Sequence, residues 1–137
     1  MKTLFVVLLA SLCAAKASAL DPPDRKLTVD EAHALVLASL TPEQKRLPSL
    51  GAETFNDPKT SKFLYFTVSW AGTPNGSAVV ANYAVDPNTG DVFSATMSCK
   101  EEQNRNLRAL QTRIRARLHL SQSEYQRLKT KGPLCDE

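Results

Sequence analysis

Histidine is nearly missing from this chain: there are two, His33 and His119, and neither has a nucleophile, acid or metal ligand at motif spacing. Glycine is also sparse, at five residues, and none forms a glycine-rich loop ahead of a helix. That argues against the backbone cradles used to hold phosphates and dinucleotides. No serine stands in a nucleophile-elbow context. The three cysteines include no Cys-x-x-Cys pair, so the usual ligand spacing of a zinc site is lacking. Catalysis needs mutually arranged reactive groups. The expectation is a chain that is not an enzyme and uses no cofactor or metal.

Long apolar runs are absent as well, with one short exception. Lys2 precedes an apolar stretch from Leu4 to Leu12, and Ala17-Ser18-Ala19 supplies a small-x-small site. A bilayer span needs about 20 apolar residues, so this run is too short to anchor. Residues 1–19 therefore read as a cleavable signal peptide, cut after Ala19, and the protein as secreted or periplasmic. Lipidation at Cys13 is a weaker alternative, because the bulky Leu12 precedes it.

With residues 1–19 removed, Cys99 and Cys135 are the remaining cysteines. In an oxidising compartment the pair is expected to form a disulfide closing about 36 residues, worth roughly 3–4 kcal/mol in the chain-entropy model. Charge is unevenly placed. Residues 20–98 hold six basic and nine acidic residues, whereas residues 99–131 hold nine basic and three acidic.

Residues 20–26 form an extended leader. Thr28-Val29-Asp30-Glu31 is a capping box, and Val29, Ala32, Val36 and Leu40 follow at helical spacing, predicting a helix near 29–40. Thr41-Pro42-Glu43-Gln44 opens a short turn of helix. Lys62 to Ala71 alternates, with Leu64, Phe66, Val68 and Trp70 on one face and Phe63, Tyr65, Thr67 and Ser69 on the other. Strands at 78–85 and 91–97 follow, separated by the Asp86–Gly90 turn, and a short strand near 53–55 precedes them. Ser98-Cys99-Lys100-Glu101 reads as another capping box, opening a long helix to about Leu118. Its stripe is Leu107, Leu110, Ile114 and Leu118. Ser121 caps a last helix, ended by Gly132 and Pro133.

The predicted fold class is α+β. An N-terminal helix packs on an antiparallel three- to four-stranded sheet, followed by a long amphipathic helix and a short C-terminal helix tied by the disulfide. Residues 27–137 form a single domain, divided into 27–95 and a helical extension at 98–137.

Phe63 and Tyr65 would make an exposed aromatic patch if no second layer covers their face of the sheet. Arg108 and Arg115 flank the stripe of the long helix and suit an acidic protein or an anionic surface. Nucleic acid is not expected, because the basic residues spread around the helix rather than line one edge. Asp86 and Gly90 are assigned to turn structure. The loops at 72–77 and 86–91 are further contact candidates, and Asn75-Gly76-Ser77 matches a glycosylation acceptor.

Leu27-Thr28-Val29-Asp30-Glu31-Ala32 followed by a strand meander and Tyr83-Ala84-Val85-Asp86-Pro87-Asn88-Thr89-Gly90-Asp91-Val92 resembles the PepSY module of bacterial peptidase propeptides and YpeB-type proteins. The resemblance covers about residues 27–95. It implies a capped helix on an antiparallel sheet, a cell-envelope setting, and a non-catalytic domain that binds or restrains a hydrolase. The expected function is therefore an inhibitor or immunity-type binding module with a hydrolase or toxin as protein partner. Alternatives are a small-ligand-binding or structural envelope protein, and a cystatin-like protease inhibitor, which the absence of a Gln-x-Val-x-Gly segment disfavours.

Overall fold

A computed structural model describes residues 25–72, 78–95 and 100–133. Helix α1 (Val29–Ser39) begins where the capping box demands. The Thr28 hydroxyl accepts from the Glu31 N–H at 3.2 Å, and the Glu31 carboxylate accepts from the Thr28 N–H at 2.8 Å. The same device starts the short α2 (Pro42–Lys45), through Thr41 and Gln44.

Four strands then form one antiparallel meander in the order β1-β2-β3-β4, namely β1 (Gly51–Glu53), β2 (Leu64–Ser69), β3 (Val79–Val85) and β4 (Val92–Ser94). Alternation decides which residues face inward. Leu64, Phe66 and Val68 of β2, Tyr83 and Val85 of β3, and Val92 of β4 are buried in one core with Leu35 and Val36 of α1. Helix α3 (Arg105–Arg117) adds Leu107 and Ile114 to that core, with Leu118 just past its end, and α4 (Gln122–Leu128) follows. Truncating any fully buried member to alanine typically costs about 2–5 kcal/mol.

The expected fold class needs correction. The longest helix follows the sheet and lies beside α1, so both share the helical layer rather than α3 extending an N-terminal helix-and-sheet unit. Arg117 pairs with Glu31 at 2.5 Å across the two helices. The Asn104 side chain caps α3 at the Leu107 N–H (2.8 Å) while donating to the Ala38 carbonyl at the end of α1 (3.0 Å). Nor is any disulfide found among the described residues; Cys99 and Cys135 lie outside them. Among the described residues, α4 is tied down by hydrogen bonding. Tyr125 Oη donates to Asp91 Oδ1 at 3.0 Å.

The start of α3 also differs from the sequence expectation. The backbone of residues 100–102 is taken up along β4: the Ser94 N–H donates to the Lys100 carbonyl, and the Glu102 N–H to the Val92 carbonyl. A segment held this way cannot supply the first turn of a helix, so α3 waits for Asn104.

Candidate binding surface

The face of the sheet turned away from the helices is divided. Its β3–β4 half is covered. Phe63, 5% exposed, meets Phe93 edge-on at 6.1 Å between ring centroids, with Ala84 buried beside them. Residues 132 and 133 close over this cluster. At Gly132 φ is +96°, and a Cβ there would stand 2.6 Å from Phe93 Cδ1, so both backbone and space demand glycine. Phe63 is therefore a core residue, and the expected exposed Phe63/Tyr65 pair is corrected to Tyr65 alone.

The β1–β2 half is open. Tyr65 is 45% exposed, and the Thr67 hydroxyl donates to Asn82 Oδ1 at 3.0 Å across the strands. Beside it, the loop from residue 54 to 63 is pinned by Asn56, whose Oδ1 accepts from the Tyr65 N–H at 3.1 Å. Immediately before Asn56 stands Phe55, 97% exposed. Sequence reasoning missed it, since a lone aromatic after a short strand carries no period. A shallow groove of about 390 Å³ runs here between Asn56, Ser61, Lys62, Phe63, Tyr65 and Pro133. The surface offers two exposed aromatic rings, an amide, a hydroxyl and an ammonium. Its chemistry is apolar docking and hydrogen bonding, the pattern of an interface centre with a polar margin.

The other predicted site residues lie elsewhere and are mostly structural. Arg115 is held inside the molecule: Nη2 donates to Asp91 Oδ1 at 2.6 Å, Nε donates to the Thr89 carbonyl at 2.8 Å, and the guanidinium stacks 4.1 Å from the Tyr125 ring. Asp91 is fully buried and also accepts from the Thr89 hydroxyl. Gln111, buried on the same face of α3, donates to the Gly90 carbonyl. This network closes the 86–91 turn against α3, so that loop is not a free contact surface.

Asp86 and Gly90 make the turn itself. The Asp86 carboxylate accepts from the Asn88 N–H at 2.8 Å, the Gly90 N–H donates to the Asp86 carbonyl at 2.9 Å, and Gly90 adopts φ +72°. Burial holds the Asp86 carboxyl above the usual aspartate range, with the nearby Asp91 acting in the same direction and the bond from Asn88 opposing. Arg108 is exposed, its Nη2 donating to Gln103 Oε1. His33 is half-buried near Phe66, whereas His119 is exposed just beyond α3. Trp70 is half-buried at the end of β2. Residues 1–19, Asn75 and most of the 72–77 loop lie outside the described residues.

Among the described residues, no helix is long and apolar enough to cross a membrane. No group of three or more His, Cys, Asp or Glu among them is placed to hold a metal ion.

No protein-family model matches the chain, and no curated protein does. The fold is similar to a solved one: a chain in the structure of a type VI secretion system effector–immunity complex from Pseudomonas protegens. The likeness has a TM-score of 0.59 at 24% identity, over 77% of this chain and 88% of that one.

Proposed function

We propose that this protein is an exported, non-catalytic binding module of the immunity type, which captures another secreted or envelope protein through the open half of its sheet. The observation that carries the reading is exposed Tyr65 on the open half of a sheet face whose other half is sealed, with exposed Phe55 next in sequence to Asn56 of the adjoining groove. Burying one such ring against a partner contributes about 1.5–3 kcal/mol. Tyr65 lines the groove and Phe55 precedes its Asn56, so the two rings are the candidate anchors of a small hot spot.

The effector–immunity setting of the similar structure supports a protein partner, which in this reading is a toxin or hydrolase. Export through residues 1–19 and the PepSY-like order of capped helix and hairpin belong to the same reading. It predicts that Phe55→Ser with Tyr65→Ser abolishes partner capture while leaving thermal stability nearly unchanged. Capture that survives the double substitution would reject the surface. If the wild-type chain retains no protein at all, the groove at Lys62 becomes the place to look for a small ligand.

A further inference from the structure

The geometry points to a second interaction surface, the solvent face of α3, built to receive an acidic helix of a protein partner. This rests on the reading of the chain as a protein-binding module, and it names the chemistry of a contact separate from the Phe55/Tyr65 face. Helix α3 carries five arginines and no acidic residue. Two of the five are consumed internally, Arg115 by Asp91 and Arg117 by Glu31. Arg105, Arg108 and Arg113 remain exposed, and among the described residues none of these three has an ion-pair partner.

Their placement is ordered. At about 100° per residue, Arg108 and Arg113 stand on opposite sides of the outward line of the helix, and Arg105 lies near its start. Between them Ala109, Thr112 and Ala116 recur at spacings of 3 and 4 and are all exposed. These short side chains leave room for another helix to approach along the axis while the arginines reach round its flanks. Arg105 and Arg113 are about 12 Å apart along that axis at 1.5 Å per residue, so one partner helix of three turns spans both.

The residue types choose the occupant. The cations are arginines, whose planar fork matches a carboxylate with two parallel hydrogen bonds. This face has no leucine, phenylalanine or tryptophan to enter a lipid interface, as a membrane-surface helix does. An acidic protein helix therefore fits better than an anionic bilayer.

The test uses the full mature chain, isotopically labelled, and two synthetic helical peptides of about 20 residues, matched except for Glu against Gln on one face. At low salt the Glu peptide is expected to shift amide signals of residues 105–117. Arg105→Glu with Arg108→Glu and Arg113→Glu is expected to weaken binding at least tenfold, as is raising the salt to roughly 0.3 M. Phe55→Ser with Tyr65→Ser should leave this titration unchanged, so the two surfaces fail or succeed separately. Equal binding of the Gln peptide, shifts confined to other elements, or stronger retention on phosphatidylglycerol vesicles than on the Glu peptide would each overturn the proposal.

Discussion

Removing the Arg115 guanidinium leaves a charge in the interior with nothing to balance it. The Asp91 side chain is fully buried and retains two neutral donors, the Thr89 hydroxyl at 2.9 Å and the Tyr125 hydroxyl at 3.0 Å. Breaking a buried ion pair from one side typically costs about 3–5 kcal/mol. The Arg115 side chain is 23% exposed, so water partly replaces it and the lower end applies. Losing its stacking on Tyr125 adds about 0.5–1 kcal/mol. Arg115→Met should therefore destabilise the domain by about 3.5–4 kcal/mol, a large part of the 5–15 kcal/mol usual for a domain. Urea unfolding followed by Trp70 fluorescence and far-UV circular dichroism measures this directly. The sharper part is the cycle with Asp91→Asn, which removes the charge but keeps an oxygen for Tyr125. In that background Arg115→Met should cost only about 1 kcal/mol. A loss below 1 kcal/mol in the wild-type background, or equal losses in both, would refute the claim that this pair holds the turn, α3 and α4 together.

Further substitutions probe other joints of the fold. Gly132→Ala should cost about 2 kcal/mol, because φ +96° and the 2.6 Å approach to Phe93 both resist a Cβ; a change below 0.5 kcal/mol in urea unfolding would contradict the sealed half of the sheet. His119→Gly should raise the melting temperature by about 2–4 °C, since His119 ends α3 at φ +52° while the Leu120 N–H bonds the Arg115 carbonyl. A lower melting temperature would show that the imidazole makes a contact worth more than the strain. Asp86→Asn tests the raised carboxyl. The folded state holds a proton on Asp86 more tightly than the unfolded state, so wild-type stability falls as pH rises through that raised value. The Asn variant lacks this loss, so its stability relative to wild type should grow as pH rises above the ordinary aspartate range; a difference independent of pH would be the contrary result.

Local signals carried much of the architecture. The capping boxes at Thr28, Thr41 and Ser121 each specify two hydrogen bonds within four residues, and all three open helices. The β2 alternation likewise separates Phe66 and Val68 from Tyr65 and Thr67 without outside help. Ser98–Glu101 satisfies the same local pattern yet precedes an extended segment, because the partner that claims the 100–102 backbone is β4. Phe63 looked like surface for a similar reason: its cover comes from residues 132 and 133, about seventy positions away. The Asp91–Arg115–Tyr125 network joins a turn and two helices, and its polar members sit outside any apolar stripe. Arg115 was legible as a charge beside the stripe but not as one turned inward. Phe55 became notable only through its exposure beside the edge of the open sheet.

The most direct test of the proposed binding role is affinity capture by a tagged chain of residues 20–137 from cell envelope and culture medium, run in parallel with the Phe55→Ser/Tyr65→Ser variant. The expected result is one dominant secreted or envelope protein, a toxin or hydrolase, retained at moderate salt by the wild type and lost from a variant that unfolds at nearly the same temperature. The same protein held equally by both chains would contradict the open sheet face as the binding surface, and a wild-type chain that retains no protein would contradict the binding function itself.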